Sequence, residues 1–341
     1  MKHILLVFTG GTIGSKAHQG VIDTDSDAGF KLVTLFRERF DHQSEIQFDV
    51  LFPVQLLSEN LHPEAWRSII EAINTQDLNR YDGIIVTHGT DTLAFSAALL
   101  GIYFNALNIP LLMVSSDLPL DDPHANGVNN FVCAVEFISQ RIAKGCFVAY
   151  QNPGQAMQVH IATRLSSCLP LSSDFISVGS KPWMQFAEGR FQALEVLDEL
   201  NSRPVSFKPE FAHLLLIRPY PGLDYSHYDL QGVDVVLHDL YHSGTACVSE
   251  QWGERHHLIH FAQHCQSLDI PLYLAPAMLT DNAYSSTRQL LASGAQMIWN
   301  TSLETAYAKL ILAYGNALSS ADVMTLLSTN VAYELTACSG Q

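Results

Sequence analysis

The chain has little positive charge. Its 341 residues carry 18 lysines and arginines against 34 aspartates and glutamates, a net charge of −16. That balance argues against nucleic acid or an anionic membrane surface as a partner. Long apolar runs are missing too. Although 48% of the residues are hydrophobic, polar residues interrupt the longer stretches within about ten positions, so nothing reads as a transmembrane span. The six cysteines, Cys133, Cys146, Cys168, Cys247, Cys265 and Cys338, form no C-x-x-C pair and no regular framework, as expected of reduced thiols in a reducing compartment. A signal peptide is not evident: the apolar run from Ile4 to Phe8 is short and leads into a glycine-rich loop without a cleavage site. These absences together predict a cytoplasmic protein. Also missing are G-x-G-x-x-G, G-x-x-x-x-G-K-[ST] and G-x-S-x-G, which sets aside dinucleotide, P-loop and serine-hydrolase chemistry.

What is present begins at the amino terminus. The run from Ile4 to Phe8 reads as a buried strand and passes into Thr9-Gly10-Gly11-Thr12-Ile13-Gly14. Glycines at a strand end permit positive φ and let a ligand approach the main chain closely. A threonine hydroxyl held in such a turn is a candidate nucleophile if a neighbour takes its proton; taken alone, the motif is equally a tight turn that only needs its glycines. A second segment, Gly83-Ile84-Ile85-Val86-Thr87-His88-Gly89-Thr90-Asp91-Thr92, has the same grammar, and the stretch after it, Leu93 to Tyr103, reads as a helix with Asp91 or Thr92 as N-cap. In an open parallel sheet the carboxyl ends of the strands converge on one crevice, so two threonine-bearing loops can face each other across a single site.

Strand-like runs recur at Phe48–Phe52, Ile84–Val86, Leu111–Val114 and Phe147–Tyr150, with helical patterns near Glu64–Asn74, Leu93–Ala106 and Asn129–Ile142. The alternation predicts an α/β fold: a mostly parallel sheet with helices on both faces in a large N-terminal domain, residues 1–185. Residues 186–210, mixing charges and prolines, read as a linker. Residues 211–341 read as a smaller C-terminal α/β domain, with strands at His213–Ile217, Val233–Leu237 and Pro271–Leu274 and helices near Glu254–Gln266, Asn282–Ser293 and Leu303–Leu312. No internal repeat or low-complexity tract is visible.

Thr9-Gly10-Gly11-Thr12-Ile13 and Thr87-His88-Gly89-Thr90-Asp91-Thr92 together resemble the two signatures of the bacterial-type L-asparaginases, closest to the cytoplasmic type I members. The likeness covers nearly the whole chain in length and order of elements, and is strongest in the first half. It implies hydrolysis of L-asparagine to L-aspartate and ammonia, with Thr12 attacking the side-chain amide and forming a β-aspartyl ester. Thr90 and Asp91 would move protons and orient substrate, and Asp91 would also hold the α-ammonium. Backbone N–H groups around Gly11, Gly89 and Thr90 are candidate oxyanion donors, because glycine permits that close approach. Leu57-Ser58-Glu59-Asn60-Leu61 is similar to the family's loop for the α-amino and α-carboxylate groups, with Ser58 on the carboxylate and Glu59 on the ammonium. Ser58 or Asn60 can equally cap the helix that His62-Pro63-Glu64 begins. The resemblance implies no metal and no organic cofactor. Its partners are a small-molecule amino-acid substrate and further copies of the chain, as a homodimer or homotetramer.

Two departures from the family pattern stand out. Thr163-Arg164-Leu165-Ser166-Ser167 covers the region where most members carry a catalytic lysine, and places Ser167 at that position; no lysine occurs between Lys144 and Lys181. In the lid, Gln19-Gly20-Val21-Ile22 places Val21 where a tyrosine is usual. A serine supplies neither a positive charge nor the base that a buried lysine can be. Arg164 and Lys16 are candidates for the missing charge, although an arginine cannot act as a base. The sequence thus leaves open slow asparagine hydrolysis, action on another amide such as glutamine or a D-amino acid derivative, and binding of Asn or Asp without turnover, as in a sensor. Two histidine patterns add alternatives. His256, His260 and His264, at i, i+4 and i+8, offer one helical face to zinc or nickel, or are a solvated face. His88 reads as structural near the site, with a Thr-His-Asp arrangement through Asp91 as the other possibility.

Overall fold

The computed structural model describes residues 1–18, 21–24, 28–39, 45–197 and 204–336, and for 15–18, 21–24 and 28–29 the backbone alone. The chain divides into two compact units, Met1–Pro209 and Glu210–Gln341.

The first unit runs β1 (Lys2–Val7), β2 (Ser15–His18), β3 (Val21–Thr24), α1 (Ala28–Arg39), β4 (Ile46–Leu51), α2 (Pro63–Asn74), β5 (Gly83–Thr87), α3 (Leu93–Tyr103), β6 (Pro110–Val114), α4 (Gly127–Ser139), β7 (Gly145–Tyr150), β8 (Met157–Ile161), β9 (Met184–Ala187) and β10 (Arg190–Ala193). Its main sheet has eight strands in the order β10-β9-β8-β7-β6-β5-β1-β4. From β4 to β7 neighbours are parallel; β8, β9 and β10 continue the sheet antiparallel. Ile4 to Val7, Ile84 to Val86 and Leu111 to Val114 are all fully buried. Successive residues of a strand point to opposite faces, so such runs require cover on both. The helices follow from equally local causes. In α2, Pro63 occupies the first turn and the His62 ring accepts the Glu64 N–H at 3.3 Å. The same helix buries Ala65, Trp66, Ile69, Ile70 and Ile73, an apolar stripe at helical spacing.

The carboxyl ends of β4, β1 and β5 lie side by side: Val7 pairs with Leu51 on one side and Val86 on the other. The next strand of the main sheet in sequence, β4, is added on one side of β1 and the one after it, β5, on the other, which makes the β1/β5 junction a topological switch point.

Residues 186–193, read from sequence as the start of a linker, are part of the sheet. β9 and β10 form a hairpin whose two-residue turn, Glu188 (φ 49°) and Gly189 (φ 72°), has positive φ at both positions, as a tight β-hairpin turn requires. The boundary between units falls at Pro209. Helix α1, also absent from the sequence reading, is held by Leu32 and Phe36, both buried.

The second unit contains β11 (Leu214–Ile217), β12 (Val235–Asp239), α5 (Leu258–Ser267), β13 (Leu272–Ala277), α6 (Ser285–Ala292), β14 (Gln296–Trp299), α7 (Leu303–Gly315) and α8 (Ser320–Ser328). Its four strands are parallel in sequence order. β14 and α8 were not anticipated. The segment expected to be one helix from Glu254 is a 3-10 turn, Glu254–His256, followed by α5. Among the described residues no helix is long and apolar enough to cross a membrane. Lys309 of α7 is fully buried. Its three ammonium protons meet the Glu334 carboxylate and the carbonyls of Leu326 and Thr329, the latter two at 2.8 Å. Glu334 in turn accepts the N–H groups of Val331 at 3.0 Å and Ala332 at 2.7 Å. The pair is therefore satisfied on both sides, as a buried ion pair must be.

Candidate active site

Three loops meet where β1, β4 and β5 end. The chain leaving β1 is tied to β5 by Thr9, whose hydroxyl donates to the Thr87 carbonyl at 2.6 Å. It is tied to the chain leaving β4 by Leu56 N–H to Thr9 O (3.1 Å) and Gly11 N–H to Leu56 O (2.9 Å). Gly10 (φ 98°) and Gly11 (φ 76°) both occupy the left-handed region. A Cβ on Gly10 would lie 2.4 Å from Leu56 O, and one on Gly11 2.3 Å from Gly89 N. The two threonine loops therefore touch backbone to backbone, and glycine is required for contact as well as for conformation. Thr12 follows in a 3-10 turn, Thr12–Gly14, and is half-buried.

Ser58, 3% exposed, bridges to the second signature. Its hydroxyl donates to Asp91 Oδ2 at 3.0 Å and accepts the Asp91 N–H at 3.2 Å, while Thr92 Oγ1 donates to the Ser58 carbonyl at 2.9 Å. Ser58 therefore does not cap α2, and Thr92 does not cap α3 through its side chain. Thr90 is half-buried, while Asp91 and Glu59 are exposed. Thr12, Gly11, Ser58, Gly89, Thr90 and Asp91 thus all lie on loops joined by these contacts, and Glu59 stands beside Ser58. Of the N–H groups around Gly11, Gly89 and Thr90, that of Gly11 itself is committed to Leu56 O.

His88 has a structural place that sequence alone did not reveal. Trp66 Nε1 can only donate, and it donates to Ser96 Oγ at 2.8 Å. Ser96 then turns its proton to His88 Nε2, 2.8 Å away, so Nδ1 carries the ring proton and donates to Gly89 O at 2.8 Å. Both ring nitrogens are used in holding the Gly89 peptide, and a Thr-His-Asp relay through Asp91 is not formed. Burial pushes the imidazole down to about 4, so it is neutral at ordinary pH. The signal was hidden because Trp66, Ser96 and His88 come from three separate elements.

Ser167 lies on the segment following the short turn Ala162–Arg164. Its neighbour Cys168 feels Asp91: burial raises the thiol, and the charges of Asp174 and then Asp91 raise it further. Cys168 thus lies within electrostatic reach of the Asp91 carboxylate. Arg164 is 9% exposed, and its Nη1 bonds both oxygens of Glu195, at 3.0 and 3.2 Å. Its charge is therefore already balanced by Glu195. In the lid, Gln19 and Gly20 lie outside the described residues, and Val21 and Lys16 are described by backbone alone, in β3 and β2.

The histidine row does not form a metal face. His256 precedes α5, and its Nδ1 donates to Leu223 O at 2.7 Å; among the described residues no cluster of His, Cys, Asp and Glu could hold a metal ion. The described cysteines are free thiols.

Two α/β units, with paired threonine loops at the carboxyl edge of the larger sheet, define an amidohydrolase-type architecture, and comparison with known proteins makes the assignment. Residues 3–192 match the family model described as "Asparaginase, N-terminal". That is more than half of the chain, which belongs to the asparaginase family. Its curated relatives include proteins named as one of the subunits of glutamyl-tRNA(Gln) amidotransferase. That of Methanosarcina mazei is 26% identical over 99% of this chain and 80% of its own length, and that of Aeropyrum pernix 27% identical over 91% and 74%. Among solved structures, the thermostable L-asparaginase from Thermococcus kodakarensis superposes with a TM-score of 0.79 at 23% identity, covering 98% of this chain and 99% of that one. L-asparaginase I from Vibrio cholerae gives 0.78 at 20% identity, with 98% and 99% covered. At such identities these two structures speak for the fold.

Proposed function

We propose that this protein hydrolyses the side-chain amide of L-asparagine, with Thr12 as nucleophile. The observation that carries the reading is the apposition of Gly11 and Gly89, closer than any side chain allows, beside the Ser58–Asp91 hydrogen bond. Acyl transfer from an amide demands a nucleophile, a group for its proton and donors for the oxyanion, and the loops joined by these contacts carry a threonine hydroxyl, a carboxylate and backbone N–H groups to serve as each. Thr12 Oγ1 adds to the amide carbon as its proton passes to the polar cluster of Thr90 and Asp91. The N–H groups of Gly89 and Thr90 receive the developing oxyanion, and the nitrogen leaves, protonated, as ammonia. Water then cleaves the aspartyl ester, releasing L-aspartate and restoring the hydroxyl. Ser58 and Asp91 receive the substrate's α-carboxylate and α-ammonium, and the exposed Glu59 adds a second anion for the ammonium. The step as written uses neither metal nor cofactor.

Ser167 favours a second reading, in which the site binds asparagine or aspartate without turnover, because a serine in place of the family lysine cannot collect the Thr12 proton. The names of the curated relatives add glutamine to the amides worth testing. Ammonia release from L-asparagine and L-glutamine by the protein and its Thr12→Ala variant separates these. Release from asparagine that vanishes in the variant supports the first reading. Thermal stabilisation by aspartate with no ammonia supports the second. Release undiminished by Thr12→Ala refutes the assignment of the nucleophile.

A further inference from the structure

Within the second unit a cavity of about 460 Å³ is walled by aromatic side chains: Tyr220, Tyr225, Tyr241 and Trp252, with Cys247 and His256. We propose that it binds a planar, uncharged heteroaromatic molecule with an N–H donor, of the nucleobase or indole class.

The aromatics make the first part of the case. Tyr220, Tyr241 and Trp252 are 52%, 40% and 66% exposed, respectively, around one cavity. Each sits on a backbone that is already fixed. Tyr220 stands between Pro219 and Pro221, and its carbonyl accepts the Leu223 N–H at 3.1 Å. Tyr241 lies at the base of a tight loop closed by its N–H to Thr245 O at 2.9 Å and Gly244 N–H to its own carbonyl at 2.8 Å. Trp252 ends a 3-10 turn, Glu250–Trp252, capped by Ser249. Rings held this way lose little freedom on binding and offer wide faces for stacking. The fourth ring, Tyr225, is a rigid wall, stacked on Phe261 (4.7 Å, 17° between planes) with its hydroxyl 2.9 Å from His238 Nε2.

Polarity and size choose the ligand. His256 gives its Nδ1 proton to Leu223 O, so in the neutral ring Nε2 is an acceptor and calls for a donor on the ligand. Among the described residues lining the cavity there is no lysine or arginine, and the chain carries a net charge of −16, which disfavours a phosphate group. No carboxylate lines the cavity either, and its volume lies in the range of small-molecule sites, roughly 300–1,000 Å³, well beyond a simple ammonium head. A flat ring system carrying an N–H group satisfies the ring faces, the volume and the His256 acceptor together.

Cys247 supplies the readout, because its thiol is exposed and lines the cavity. Alkylation by iodoacetamide, mapped peptide by peptide on the full-length protein, is to be measured with and without indole and adenosine as probes. Saturable protection of Cys247 by at least one probe is expected, with Cys168 as an internal control whose rate does not change. Trp252→Ala, at a largely exposed position, should raise the half-protecting concentration about tenfold or more. His256→Phe keeps a stacking ring but removes the acceptor, and should also weaken protection. Absence of saturable protection by either probe overturns the proposal, as does protection unchanged in Trp252→Ala. Equal protection by choline would instead make the site a cation cage. A change of oligomeric state in Trp252→Ala, with neither probe protecting, would make this face a contact between copies of the chain.

Discussion

Gly89→Ala tests the contact on which the site is built. Gly89 lies outside the positive-φ region, so alanine is compatible with its backbone; the conflict is purely one of space. The added methyl would stand 2.4 Å from Ser58 Oγ, 2.7 Å from Ser58 Cβ and 3.1 Å from Gly11 Cα. Ser58 cannot swing aside freely, because it is buried and bonded twice to Asp91. Overpacking of this kind costs about 1–3 kcal/mol. For a unit of this size each kilocalorie is worth roughly 2–4 °C, so thermal unfolding should fall by roughly 2–12 °C. Ser58→Gly alone removes the bridge to Asp91 and also destabilises. In the double variant, however, both close contacts with the serine disappear and only the approach to Gly11 remains. The double-mutant cycle should therefore show a favourable coupling of about 1–3 kcal/mol, with the pair less destabilised than the sum of the singles. The assay is calorimetric or fluorescence-detected unfolding of all four proteins, with ammonia release measured in parallel. Additive effects, or a Gly89→Ala protein as stable as the parent, would refute the close apposition of the loops after β1, β4 and β5.

Stability should depend on pH through three buried histidines. Burial pushes His88, His160 and His238 from 6.5 to about 4. The unfolded chain binds more protons between those values, so their contribution is complete above pH 6.5 and is lost as pH falls toward 4. Each is worth about 3 kcal/mol, and a stability profile that is flat from about pH 7 to 4.5 in denaturant titrations would contradict this. Lys309→Met strands the Glu334 carboxylate in the core of the second unit and should cost about 3–5 kcal/mol, read by chemical denaturation. Adding Glu334→Gln should recover part of that loss; a single variant within experimental error of the parent would show the pair to be dispensable. Under the asparaginase reading, Ser167→Lys supplies the amine that the resemblance expects there and should raise ammonia release by about 10²–10⁴. No gain in a folded variant would place the base elsewhere.

The parts of the molecule legible in the sequence are those whose cause is local. Ile4 to Val7 and Ile84 to Val86 are continuous apolar runs because they are buried on both faces, and each is followed at once by its glycine loop. Ser58 was ambiguous because a serine just before a helix is an ordinary cap; only the fold reveals that its hydroxyl points to Asp91, 33 positions away in sequence. The Trp66–Ser96–His88 chain and the Thr9–Thr87 bond were invisible for the same reason. β9 and β10 were missed because their residues are only partly buried and lack a strong apolar run, so the charges and prolines nearby dominated the reading. In the histidine row, a helical period was imposed across Gly253-Glu254-Arg255-His256, where the chain is not yet α-helical.

Under the asparaginase reading, Ser167 would bear on turnover and not on recognition. Gly11, Ser58, Gly89 and Asp91 lie on loops that also hold the ends of β1, β4 and β5 together, so substituting them disturbs the fold along with the site. Ser167 stands on none of those loops: it follows β8 in the chain, and neither the glycine contact nor the Ser58–Asp91 bridge is made by its side chain. Under the asparaginase reading, a chain with this arrangement could exchange its proton-handling group without giving up the pocket. Binding of aspartate or asparagine is therefore expected to survive in variants at Ser167 whatever happens to the rate. If substitutions of Ser167 abolished binding while leaving the protein folded, recognition and catalysis would have to share that segment, and the division of labour argued from the loops would fail.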